Sequence, residues 1–193
     1  MSESDISSVD SFSQPSFGLG NRLKRVLWGL VWSFTGLLVP RPFHEVRSVV
    51  LRAFGAKIGR GVHVYPRVKI WAPWNLAIGD EAGVANGAIL YSQGNISIGR
   101  RAVISQGAHL CAGTHDYEDP GMPLITKPIV IGDHAWVTAE SFIHPGVTIG
   151  EGAVIGARSV VTKDMPEWMV CAGNPCKPLK ARIMKNSKKT EES

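Results

Sequence analysis

Among the six histidines of this 193-residue chain, His115 stands where a regular sequence pattern breaks, in the run C-A-G-T-H-D-Y. An imidazole changes charge near neutral pH, so it can take a proton from a hydroxyl group and pass it on. His115 is therefore the candidate general base. Asp116 follows it directly, but neighbouring side chains on a strand point to opposite faces. Asp116 need not orient the ring, and a backbone carbonyl could fix the tautomer instead. The three cysteines, Cys111, Cys171 and Cys176, form no metal-like or redox pair and leave one odd thiol in any disulfide scheme. That pattern suits a reducing cytoplasm.

The element that must position His115 is a repeat. From Lys57 to Lys163 an aliphatic residue followed by a glycine or small residue returns every six positions: I-G-R-G-V-H at Ile58, I-G-D-E-A-G at Ile78, I-G-R-R-A-V at Ile98, I-G-D-H-A-W at Ile131 and I-G-E-G-A-V at Ile149. Units of this length predict an all-β solenoid, a parallel β-helix with three units per coil and equivalent side chains stacked one coil apart. Small residues at the corners are expected to let the backbone turn. A β-sandwich would need longer alternating strands and no fixed register. Ile131 and Ile149 lie one coil of about 18 residues apart. Ile58, Ile78 and Ile98 are spaced two residues wider, so bulges are expected at Trp71–Asn75 and Gln93–Asn95. Between Ile98 and Ile131 an excursion over 114–128 leaves the coil and returns. Long excursions from a rigid scaffold tend to be functional.

The division expected along the chain is a disordered N-terminus (1–16), a helical cap (17–56), the β-helix (57–166), a C-terminal turn and short helix (167–185) and a disordered tail (186–193). The apolar run Val26–Val39 is shorter than the roughly 20 residues that span a bilayer, no cleavable signal peptide is visible, and Pro40 and Pro42 stop the run. A second amphipathic stretch, Phe43–Phe54, places Val46, Val49, Val50, Ala53 and Phe54 on one face and Arg47 and Arg52 elsewhere. Two readings stand side by side: a helical hairpin covering the first coil, and a peripheral membrane contact with Trp28 and Trp32 at the interface and Arg22, Lys24 and Arg25 at head groups. The net charge of +5 is concentrated at the chain ends and is not interleaved with exposed aromatics, which argues against nucleic acid. Phosphates of a small co-substrate or an anionic membrane account for it more simply.

The repeats, the T-H-D-Y segment, the run from Ile131 to Asp164 and the closing A-G-N-P-C-K-P resemble the hexapeptide acyltransferases. More narrowly, K-I-W-A-P-W-N-L, C-A-G-T-H-D-Y-E-D-P-G-M-P-L and the apolar N-terminal stretch resemble the colanic acid biosynthesis acetyltransferases, over roughly Pro40 to Lys180. The resemblance implies a left-handed β-helix, a homotrimer with active sites between subunits, and acetyl-CoA as acetyl donor with no metal. It implies a sugar hydroxyl as acceptor, on an exopolysaccharide precursor or lipid-linked oligosaccharide at the inner membrane face. His115 would deprotonate that hydroxyl for direct attack on the thioester. Trp136 and Ala139 would lie beside the donor, with the Ala139 amide as an oxyanion donor. Gly156 and Ala157 would line the pantetheine channel, and Thr162, Lys163 and Lys177 would reach the nucleotide. Asn86 is a candidate for binding the acceptor, one residue off the pattern of related sugar acetyltransferases. Asp116, Glu118 and Asp119 could bond sugar hydroxyls or merely solvate the loop, and receive no role.

Two other classes share this solenoid. A γ-type carbonic anhydrase holds a metal with three histidines across a subunit interface, which brings His109, His134 and His144 into view beside His115. The nearest two, His109 and His115, are six residues apart, and that family's ligand pattern is not recognisable. A non-catalytic scaffold or glycan-binding module would make the T-H-D-Y and N-P-C-K-P segments coincidental.

Overall fold

The computed structural model describes residues 10–184. From Lys57 the chain winds through about six turns of left-handed parallel β-helix, as the repeat and its resemblance predict. Its first face carries Lys57–Ile58, Leu76–Ile78, Ile96–Ile98, Ile129–Ile131 and Thr148–Ile149. The second carries His63–Val64, Gly83–Val84, Val103–Ile104, Trp136–Val137 and Val154–Ile155, and the third Lys69–Ile70, Ile89–Tyr91, His109–Cys111, Phe142–Ile143 and Val160–Val161. Pairing aligns Ile58 with Ile78, Ile78 with Ile98, Ile98 with Ile131 and Ile131 with Ile149. The repeat's aliphatic positions thus form continuous buried columns, each burial contributing about 1.5–3 kcal/mol.

The glycine after each of these isoleucines avoids the side-chain clash that its small size was expected to avoid, and the clash is with the next coil. A Cβ on Gly79 would sit 2.7 Å from the Arg100 backbone nitrogen, and one on Gly132 would sit 2.6 Å from that of Glu151. Close approach between coils requires these glycines. The left-handed backbone falls two residues later, at Gly61, Glu81, Arg101, His134 and Gly152 on successive coils.

The first coil would leave strand-edge carbonyls unpaired. Helices α1 (Leu19–Leu38) and α2 (His44–Ala53) cover that edge and bring donors to it. Trp28 Nε1 donates to Ile70 O and Trp32 Nε1 to Val68 O, both at 2.8 Å. Arg47 Nε donates to Val64 O at 2.6 Å, and Arg52 Nε to Ile58 O at 3.0 Å. This corrects two expectations. Trp28 and Trp32 are buried, 2% and 8% exposed, and face the solenoid instead of a membrane interface. In α2 the inward face is Arg47, Ser48 and Leu51, while Val46 and Val49 point outward. The surface they meet presents carbonyls as well as apolar side chains, so donors are needed there; Val50 and Phe54 still pack against the core.

The bulges fall where expected, a 3-10 turn at Pro73–Asn75 and a turn near Gln93. The C-terminal helix does not form. Met169–Gly173 continues the second face beside Val154–Ile155, and Cys176–Ala181 folds back on it antiparallel. Apolar Val170 and Cys171 extend the coil, and Asn174-Pro175 supplies the turn. Asp10–Ser16, expected to be disordered, form a turn held by Ser11 N donating to Gly121 O at 2.8 Å. The remaining segments expected to be disordered, residues 1–9 and 186–193, lie outside the described residues. Among the described residues no helix is long and apolar enough to cross a membrane.

Candidate functional site

His115 ends a strand, Gly113–His115, that pairs antiparallel with Leu124–Thr126 where the excursion leaves the solenoid. The tip between them is a braced turn. Asp119 Oδ1 accepts from Gly121 N at 2.7 Å, Met122 N donates to Asp119 O at 2.9 Å, and Asp116 N to Pro123 O at 3.0 Å. Asp116 Oδ1 accepts from Glu118 N, so the two aspartates shape the loop. The turn aims the Met122 carbonyl at His115 Nδ1, 2.6 Å away. A carbonyl can only accept, so Nδ1 carries a proton, and in the neutral form of the exposed ring Nε2 is the basic nitrogen. This is the carbonyl-fixed tautomer that the sequence left open.

A second group of residues follows the edge between the second and third faces. There the hydrogen-bond register makes Asn86, Gln106, Ala139 and Ala157 equivalent positions on successive coils: Ala85 N donates to Ile104 O, Ser105 N to Val137 O, and Thr138 N to Ile155 O. The column changes from amide side chains to methyl groups toward the C-terminal end, leaving the backbone accessible beside Ala139 and Ala157. No hydrogen bond to the Ala139 N–H is found among the described residues. Trp136, 44% exposed, stands beside this edge with Nε1 donating to Ser105 Oγ at 2.9 Å. A Cβ on Gly156 would lie 2.7 Å from that of Ala172, so packing within the chain already demands this glycine. Lys177 pairs with Ala172 across the C-terminal hairpin, at the same end.

Below Trp136 lies a groove of about 600 Å³ bordered by Arg41, His63, Tyr65, Asn86, Ser105 and Gln106. Asn86 Oδ1 accepts from Arg67 N at 3.1 Å, which braces the corner and leaves its NH2 group available to a ligand. The Arg41 guanidinium lies over the Tyr65 ring at 4.8 Å. His44 stacks on His63 at 4.7 Å, and burial lowers the His44 pKa. Sequence reasoning missed Arg41, Tyr65, Ser105 and Gln106. The signal for Gln106 was present, because it falls on the repeat register shared by Asn86 and Ala139.

The predicted residues therefore sort into two sets. Thr162 and Lys163 follow the third-face strand Val160–Val161, on the edge from which the His115 hairpin departs. Asn86, Trp136, Ala139, Gly156, Ala157 and Lys177 lie along the opposite edge of that face or beside it. A three-residue strand such as His109–Cys111 separates the edges by about 10 Å, and the structure does not bring the sets together within one chain.

The other histidines have local partners. His109 is stacked edge-on between Tyr91 and Phe142, His144 packs on Phe142, and His134 approaches Arg100 at 3.4 Å. Among the described residues no three His, Cys, Asp or Glu side chains converge as metal ligands would. Cys171 and Cys176 are buried free thiols whose pKa values burial pushes up.

The sequence model for "Bacterial transferase hexapeptide (six repeats)" matches residues 128–163. The chain is 43% identical over 176 residues to WcaF of Escherichia coli (strain K12), a protein named for acetyl transfer in colanic acid biosynthesis; the match covers 91% of this chain and 97% of that protein. A crystal structure of a maltose O-acetyltransferase from Clostridium difficile 630 superposes with a TM-score of 0.78 at 26% identity, covering 86% of this chain and 90% of the other. A galactoside acetyltransferase in complex with coenzyme A superposes with a TM-score of 0.78 at 27% identity, covering 86% and 84%. With the repeat, the braced histidine hairpin and the small-residue edge already in place, these likenesses show that the chain belongs to the hexapeptide-repeat acetyltransferases.

Proposed function

We propose that the chain transfers the acetyl group of acetyl-CoA directly to a sugar hydroxyl in a ternary complex, at sites shared between neighbouring copies of a homotrimer. The observation that carries the reading is the Nδ1–Met122 hydrogen bond at 2.6 Å, which leaves Nε2 as the proton acceptor on a hairpin projecting from the solenoid. Coenzyme A in the related galactoside enzyme supports the donor, and the maltose and galactoside enzymes support a sugar. The relative named for colanic acid biosynthesis supports an exopolysaccharide precursor, and the three free cysteines suit transfer in the reducing cytoplasm. The separation of the two residue sets supports a shared site: the hairpin, Thr162 and Lys163 of one copy meet the Asn86-to-Ala157 edge of the next.

In this mechanism His115 Nε2 removes the hydroxyl proton as the sugar oxygen attacks the thioester carbonyl. The Ala139 N–H donates to the oxyanion that develops, an interaction removed at a cost of roughly 3–4 kcal/mol in comparable sites. Collapse breaks the carbon–sulfur bond, and the departing thiolate takes the proton back from the imidazolium. Gly156 and Ala157 leave room for the pantetheine arm, while Lys163 and Lys177 act as point charges for phosphates. Asn86 bonds the acceptor through its free NH2 group, and Trp136 covers the donor.

The test is thiol release from acetyl-CoA against a panel of mono- and oligosaccharides, for wild type and His115→Ala. Acceptor-dependent turnover should fall about 10²–10⁴-fold in the variant, with acetyl-CoA affinity kept. Unchanged turnover in the variant would remove His115 from the mechanism.

A further inference from the structure

A helical cap on a solenoid ordinarily presents a polar outer face, because that face ends the molecule. This cap does the reverse. The inward side of α1 is fixed by Trp28 and Trp32 on the first-coil carbonyls, so the opposite side points off the end of the β-helix. That side is a stripe of Leu23, Leu27, Leu30, Phe34 and Leu37, each between 54% and 79% exposed. The spacing of three and four residues makes it one continuous face. Val46 and Val49 of α2 are also exposed, at 44% and 55%.

The charges beside the stripe indicate what covers it. Helix α1 holds Arg22, Lys24 and Arg25 and no acidic residue, and Arg41 lies in the link to α2. Across residues 19–56 the sole acid is Glu45, which is paired with Arg52 at 2.6 Å. The Arg25 guanidinium lies 4.3 Å from the Trp71 ring centroid and Lys24 Nζ 5.9 Å from that of Trp74, at the side of the cap. An apolar face with a cationic rim, its one acid across residues 19–56 already paired, complements a surface that is apolar below and anionic above. A second copy docked on the same end would instead bring the two cationic rims together. A side-by-side neighbour would not cover a face that points off the end.

We infer that the outer face of the cap docks on an anionic lipid surface, with α1 lying in the interface plane and not crossing it, consistent with the lack of a spanning helix among the described residues. The solenoid then stands on the membrane by its N-terminal end. The inference does not depend on the acetyl-transfer reading, because docking needs neither donor nor acceptor.

The test is flotation of the purified full-length protein with vesicles of phosphatidylcholine alone or mixed with phosphatidylglycerol. Wild type should float with the anionic vesicles, less with neutral ones, and less again in about 0.5 M salt, where screening reaches within a few ångströms. Leu30→Gln/Phe34→Gln changes two solvent-facing side chains and should lower vesicle partition at least about tenfold. Near-ultraviolet circular dichroism of the buried tryptophans and unchanged oligomer size would confirm that the fold is kept. Wild type that stays at the bottom of the gradient overturns the inference. So does a double variant that floats as well as wild type. A larger assembly of wild type alone, lost in the variant without vesicle binding, would assign the face to a second copy.

Discussion

Arg47 is fully buried, and its guanidinium has no carboxylate partner among the ion pairs of the described residues. It donates instead to four carbonyls: Val64 at 2.6 Å, Arg41 at 2.6 Å, Pro40 at 3.1 Å and Val39 at 3.3 Å. Burial alone lowers its pKa. Arg47→Met removes the donors and strands the acceptors, each costing about 1–3 kcal/mol if it stays dry. Two effects reduce the sum: the cost of desolvating the cation disappears, and water can reach the exposed Arg41 side. The net loss should be about 2–4 kcal/mol, the scale of one or two buried acceptors left dry after those offsets. Arg47→Lys keeps the charge without the planar fork and should fall between wild type and Met. The assay is equilibrium urea unfolding followed by tryptophan fluorescence, to which the buried Trp28 and Trp32 contribute, at one fixed protein concentration because assembly adds to stability. The midpoint should drop with little change in slope. A loss below about 1 kcal/mol would refute the view that Arg47 ties the cap to the first coil.

Gly132→Ala forces a Cβ to within 2.6 Å of backbone in the next coil and should destabilise by about 2 kcal/mol or more. Gly83→Ala, with nothing within 4 Å, should cost under about 1 kcal/mol; equal melting temperatures for the two variants would contradict the close-approach argument. Burial lowers the His109 pKa, and its Nε2 is shielded without a partner, so the folded state favours the neutral ring. The unfolded chain then binds the proton first as pH falls, so stability is full above about pH 6.5 and declines below it. His109→Leu should flatten the fall in melting temperature between about pH 7.5 and 5.5, leaving the part due to His44, and an unchanged slope would contradict this assignment.

The solenoid was legible because its six-residue period is read twice, once as buried aliphatic columns and once as close-approach glycines. The corner column that groups Asn86, Ala139 and Ala157 follows from the same period. His115 was marked by the break in it. The orientation of α1 was not legible, since both its faces are apolar and only the first coil's carbonyls select the side bearing Trp28 and Trp32. For the same reason the inward face of α2 was only partly legible: Val50 and Phe54 pack against the core as the pattern suggests, but Arg47 is turned inward by acceptors that a hydrophobic pattern does not contain. The C-terminal hairpin was hidden because the register lapses after Val161, although Asn174-Pro175 between two short apolar runs was a turn signal.

The most direct test of the shared site mixes two inactive proteins, His115→Ala and Ala157→Trp, the second carrying a side chain that blocks the donor groove. Co-refolded in equal amounts, random trimers should regain about a quarter of wild-type acetyl transfer, because that fraction of sites joins an intact hairpin to an intact edge. Activity no higher than either parent would contradict a site built from two copies.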